Sequence, residues 1–145
     1  MEAESILSFI GYDTEKITFI NKNIDVPRGD IELRPSFGRH INKGDDGKFS
    51  ITLGVKVGFD DESEMPFACE VIITGHFQLS TCSSNDDALI DQNATAILFP
   101  YLRSLVTSIT ANANVSPIFL TVMNISKLFE DASMRHENEK KPDEE

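Results

Sequence analysis

Between Lys48 and Phe59 the chain alternates strictly. Phe49, Ile51, Leu53, Val55, Val57 and Phe59 take the odd positions, and Ser50, Thr52, Gly54, Lys56 and Gly58 the even ones. A period of two predicts a strand with one buried and one wetter face, as in an antiparallel sheet. The acids and proline of residues 60–66 interrupt it as a connecting loop. Alternation resumes with Phe67, Cys69, Val71, Ile73, Phe77 and Leu79 on one face, and Glu70, Thr74, His76, Gln78 and Ser80 on the other. Two such strands joined by a polar loop predict a hairpin.

Two weaker strands precede it. In the first, Ile6, Ile10 and Tyr12 fall on even positions but Ile17 and Phe19 on odd ones, so a bulge or bend is expected near residues 13–16. Ile31, Leu33, Phe37 and Ile41 suggest the second, interrupted by Pro35 as at an edge. The run Lys43-Gly44-Asp45-Asp46-Gly47 reads as a turn, because Asp-Gly accepts positive φ cheaply.

After a polar connector over residues 80–92 the period changes. Ile97, Leu98, Tyr101, Leu102, Leu105, Val106 and Ile109 recur at spacings of one, three and four, which predicts a helix over residues 94–112, capped by Asp91 or Asn93. Pro100 must open this helix or kink it. A short helix from Ser126 is expected to carry Leu128 and Phe129. Strands first and helices after predict an α+β fold: a four-stranded antiparallel sheet followed by one long and one short helix on one face. The expected organisation is a single domain over residues 1–133 and a disordered polar tail over 134–145.

Composition narrows the function classes. The 145 residues carry 13 bases and 24 acids, a net charge of −11. That balance argues against a nucleic-acid partner and against anionic membrane surfaces. No apolar run approaches the ~20 residues of a membrane span, and the acidic start lacks the basic region of a signal peptide. No membrane insertion and a cytoplasmic location are therefore expected. The charge is also uneven: over the 59 residues from Val71 to Phe129 only Asp86, Asp87, Asp91, Arg103 and Lys127 are charged. Such a stretch is buried in the fold, buried in an oligomer, or left apolar for a partner.

Catalytic chemistry leaves little trace. Two cysteines, Cys69 and Cys82, make neither a disulfide framework nor a four-cysteine zinc site. The histidines at 40, 76 and 136 are far apart, and no HExxH, GxSxG, P-loop or GxGxxG is present. His76 and Glu70 share a strand face, but a solvated pair is the commoner arrangement. The acids of residues 60–64 lack the spacing of a calcium loop. A non-enzyme without cofactor or metal is expected.

One resemblance then stands out. Ile97-Leu98-Phe99-Pro100-Tyr101-Leu102-Arg103 resembles the ILFPYAR segment of the SecB export chaperones. Ser116-Pro117-Ile118-Phe119-Leu120, Val122, Asn124 and Leu128-Phe129 are similar to that family's FPQLNLAPVNFDALF region. Phe67-Ala68-Cys69-Glu70-Val71 resembles its FLCEV strand, and Ile17-Thr18-Phe19 its first strand. The similarity keeps its order over nearly the whole chain.

The resemblance implies an ATP-independent holdase for unfolded polypeptide clients, assembled as a homotetramer, a dimer of dimers. It implies that Leu98, Leu102, Leu105, Val106 and Ile109 divide between the sheet and a partner helix. It also implies client grooves lined by Phe37, Ile41, Tyr101, Phe119, Leu120 and Met123. Where members that serve the SecA motor carry acids flanking the first-strand motif, this chain has Lys16 and Ile20; Ala68 replaces leucine, and only Glu70 matches. Those departures argue against coupling to SecA and leave open a relative with other clients, such as a toxin–antitoxin chaperone. Two further readings are an oligomeric scaffold without client binding and a small-molecule enzyme of hot-dog type. That enzyme fold places its long helix after the first strand, whereas here four strands come first.

Overall fold

The computed structural model describes residues 7–22, 35–59, 65–80 and 87–113. In chain order they form β1 (Leu7–Asn21), β2 (Ser36–Lys43), β3 (Lys48–Val57), β4 (Phe67–Leu79) and α1 (Asp87–Asn112). The four strands make one antiparallel sheet in the order β1-β4-β3-β2. The expected short helix, Ile31, Leu33 and the expected tail lie outside the described residues.

The two hairpins follow from their sequences. β3 pairs with β4 as expected, Leu53 opposite Ile73 and Val55 opposite Val71, so the alternating apolar positions form one continuous buried face. Between β2 and β3, Asp46 and Gly47 have φ of 60° and 79°, the left-handed values a two-residue hairpin turn requires. The Lys48 N–H donates to the Asp45 carbonyl at 3.1 Å and closes this turn.

β1 departs from expectation in one respect. A bulge does fall between Thr14 and Lys16, but a second lies between Phe9 and Gly11. The second shift puts Leu7, Phe9 and Tyr12 against the core and turns Ile10 outward, 63% exposed. Parity alone placed Ile10 and Tyr12 on one face; the extra residue in the bulge separates them.

α1 begins at Asp87, earlier than the predicted start at residue 94. Its first turns are held by burial of Ile90 and by Asp91, whose carboxylate accepts from Lys43 Nζ of β2 at 2.6 Å. The buried row is Ile90, Ala94, Leu98, Leu102, Val106 and Thr110, one residue every four. Thr110 satisfies its buried hydroxyl by donating to the Val106 carbonyl at 2.9 Å. Pro100 sits inside the helix on its exposed side, so its missing N–H lies away from the core. Residues 88–112 are long and apolar enough to cross a membrane by length and composition, but this row packs on the sheet.

The helix approaches β4 closely at Gly75. A Cβ there would stand 2.7 Å from Leu98 Cδ1. The absent side chain lets Leu98 fill the sheet surface directly, and this contact sets the height of α1 above β4.

Candidate polypeptide-binding surface

α1 covers the middle of the sheet and leaves an apolar flank on each side. Toward β2, Phe37 and Ile41 stand four residues apart on the inward face, both half-buried. The Phe37 ring meets Phe99 of α1, centroids 6.2 Å apart. Between them Arg39 Nη1 donates to Thr95 Oγ1 at 3.2 Å, and Thr95 donates to the Asp91 carbonyl at 2.7 Å. Lys43 extends over the Phe49 ring, 4.5 Å from its centroid. These polar ties fix the spacing between β2 and the helix.

Toward β1, Tyr101 is 40% exposed and leans on Phe9 and Tyr12, with centroids at 5.3 and 5.0 Å. Phe9 continues the contact to Phe77, and Phe77 stacks on Phe49, at 5.3 and 5.4 Å. Five rings thus run from the core to the surface, each at a spacing typical of attractive aromatic pairs. Phe9 and Tyr12 are site residues that sequence reasoning missed. No period-two signal marks them, because only the bulge between Phe9 and Gly11 brings both under the same helix.

The structure places the described residues expected to line client grooves on two flanks of α1. Phe37 and Ile41 come together beside β2. Tyr101 stands across the helix, next to the opposite edge strand. Phe119, Leu120 and Met123 lie outside the described residues. Of the residues expected to divide between sheet and partner helix, Leu98, Leu102 and Val106 are fully buried against this subunit's own sheet. Within that division these three fall on the side of the sheet. Leu105 and Ile109 are half-buried at the edge of the same packing.

The outward face of α1 is free of charge. It shows Leu89, Asn93, Ala96, Pro100, Ser104 and Ala111, all exposed. On the opposite side of the sheet, His76 Nε2 lies 2.8 Å from Asp13 Oδ2, and the Thr52 and Thr74 hydroxyls share a hydrogen bond at 2.9 Å. His76 and Glu70 have separate partners, so they form no joint site. Among the described residues no group of acids, histidines and cysteines could hold a metal ion. Burial pushes the Cys69 thiol up from its ordinary range, as fits a small core residue.

A family model described as preprotein translocase subunit SecB matches residues 20–136. An uncharacterized protein of Methanocaldococcus jannaschii is 30% identical over 143 residues, covering 93% of this chain and 90% of that protein. The protein-export protein SecB of Chromobacterium violaceum is 35% identical over 104 residues, 71% of this chain and 67% of that one. Among solved structures, the SecB-like chaperone of Mycobacterium tuberculosis, in complex with a ChAD peptide from the HigA1 antitoxin, superposes with a TM-score of 0.63. It is 12% identical and covers 81% of this chain and 90% of its own, a likeness of fold.

Proposed function

The chain belongs to the SecB family, and from that premise we propose that it is a cytoplasmic, ATP-independent holdase for unfolded polypeptides. A chaperone-type, non-enzymatic role is what the family supports. The observation that carries the finer reading is the pair of apolar flanks beside α1. Each sets partly exposed apolar or aromatic side chains next to an edge strand, β2 with Phe37 and Ile41, and β1 with Phe9, Tyr12 and Tyr101. An unfolded segment can bury its apolar side chains there while its backbone runs along the outer strands of the described sheet. A peptide is also what the Mycobacterium tuberculosis chaperone is described as holding. Phe119, Leu120 and Met123 remain in this proposal as further lining.

The same reading includes assembly as a dimer of dimers. The uncharged outward face of α1, with Ala96, Ser104 and Ala111 along it, suits close packing against a second copy of the helix. Leu105 and Ile109 border that surface. Service to the SecA motor is not part of the proposal. At the matching positions Lys16 is basic, Ile20 is apolar, and Glu70 is already paired by two lysines.

Suppression of aggregation of a chemically denatured client, without nucleotide, tests the activity. Full aggregation of the client at a stoichiometric ratio, with no binding of unfolded peptide, refutes it. Light scattering tests the assembly, for which the expected mass is four times 16.2 kDa. A monomer at micromolar concentration would contradict the tetramer.

A further inference from the structure

The inward row of β2 runs Phe37, Arg39, Ile41, Lys43, so cations alternate with apolar side chains on the face that meets α1. Both cations reach across to the helix, and both bridges lead to one residue. The Asp91 carboxylate takes Lys43 Nζ at 2.6 Å. The Asp91 carbonyl accepts from Thr95 Oγ1 at 2.7 Å, and that hydroxyl accepts from Arg39 Nη1 at 3.2 Å. Because Ile41 stands between Arg39 and Lys43 on the strand, the two bridges pass on either side of it. Lys43 also lays its ammonium over the Phe49 ring of β3, 4.5 Å from the centroid.

The two bridges differ in how firmly they hold. Thr95 is fully buried and its hydroxyl both donates and accepts, so the Arg39 bridge has a fixed inner end. The Lys43 bridge is an ion pair at the surface, with the lysine side chain 46% exposed and the Asp91 side chain 16%. Pairs of this kind are weak, and weaker as salt rises. A compact ammonium on a flexible four-carbon stem can leave for water by side-chain rotation alone. The backbone need not move, because Lys43 stays paired with Phe49 in the β2–β3 ladder. Its departure would uncover Ile41 and the face of Phe49 together.

We propose that Lys43 is a strap across the β2 flank, closed on Asp91 at low ionic strength and opened as salt rises, and that its opening admits the client. This rests on the reading of that flank as a client surface and adds its regulation. Closed, the strap occupies the space between β2 and α1 that an unfolded segment would fill, so the segment must displace it. On the β1 flank the corresponding contacts are between the rings of Phe9, Tyr12 and Tyr101, which salt does not loosen. Salt therefore acts on one flank and leaves the other as it is. Asp45 and Asp46 belong to the turn that follows β2, so Lys43 turned toward either of them leaves the strap open.

The test uses the full chain in a Cys82→Ser background, in which Cys69 is buried. Ile41→Cys is labelled with N-ethylmaleimide, an uncharged reagent, and Asn42→Cys, exposed on the same strand, is the reference. From about 10 mM to about 150 mM sodium chloride the Debye length falls from about 30 Å to about 8 Å. Over that range the ratio of the two labelling rates should rise roughly twofold, the scale of a partly screened surface pair. Lys43→Ala should leave the ratio high at every salt concentration. Lys43→Glu with Asp91→Lys should restore the salt response, which a merely structural role for either residue would not do. Calorimetry with an end-capped peptide alternating leucine and asparagine, which carries no charge, should show affinity rising by a similar factor, and Lys43→Ala should abolish that rise. A labelling ratio indifferent to salt, or a salt response that survives Lys43→Ala with circular dichroism intact, overturns the proposal. If the ratio behaves as expected while neither the peptide nor a denatured client is bound, the strap over Ile41 stands and the holdase reading falls. If clients are bound with the ratio fixed, the holdase reading stands and the strap falls.

Discussion

Gly75→Ala puts the close approach of α1 to β4 to the test. The added Cβ would stand 2.7 and 3.0 Å from the two methyl carbons of Leu98 and 3.1 Å from Phe77 Cε2. Carbon atoms in good contact sit at about 3.5–4.0 Å, so Leu98 must withdraw by about 1 Å. Leu98 and Phe77 are both fully buried, so the shift must be taken up within the core. Overpacking of this kind costs about 1–3 kcal/mol. Alanine's advantage over glycine inside a strand returns about 0.5–1 kcal/mol. The expected net loss is therefore about 0.5–2 kcal/mol. Leu98→Ala alone should cost about 2–5 kcal/mol through the cavity it leaves. In the double variant the new methyl group enters that cavity, so the single losses should fail to add by about 1–2 kcal/mol. Equilibrium urea unfolding of the four proteins measures this, at one protomer concentration because oligomer unfolding depends on it. Additivity within about 0.5 kcal/mol would refute the reasoning, as would a Gly75→Ala protein no less stable than its parent.

Other outcomes follow from the same geometry. Phe37→Asp and Tyr101→Asp should each weaken aggregation suppression with far-UV circular dichroism unchanged, and their combination should weaken it more, because they stand on opposite flanks of α1; equal loss from either one alone would argue for a single groove. Ser104→Glu, on the exposed uncharged face of the helix, should lower the scattering mass without unfolding the subunit, since it sets like charges across a helix pair. In a Cys82→Ser background, Cys69 should resist a thiol reagent at neutral pH and react on unfolding. Burial raises its folded pKa above 9.0, so its contribution to stability is present below that pH and lost as pH rises beyond it. Alkaline urea titrations check the sign.

The site was only partly legible in the chain. Phe37 and Ile41 could be paired from their spacing on β2, and Tyr101 from the helix stripe. Phe9 and Tyr12 could not be joined to Tyr101, because the bulge between Phe9 and Gly11 leaves no mark in a period-two pattern. The stripe on α1 likewise read as one broad apolar band. Only packing showed that Leu98, Leu102 and Val106 are consumed by the sheet while Asn93, Ala96, Pro100 and Ser104 are exposed.

By itself, then, the sequence determined what depends on local order. The alternation of β3 and β4, the Asp46-Gly47 turn and the change to helical period all act over a few residues, where backbone geometry dictates which side chains share a face. Tertiary structure decided what depends on the distance between elements. It set Leu98 on Gly75, split the apolar flanks across α1, and brought Lys16 and Lys56 to Glu70 from neighbouring strands. It also showed that the sheet and helix are electrically neutral and that the acid excess belongs to the rest of the chain. Burial and charge pairing are properties of neighbours in space, and a linear pattern specifies those neighbours only through the fold it produces.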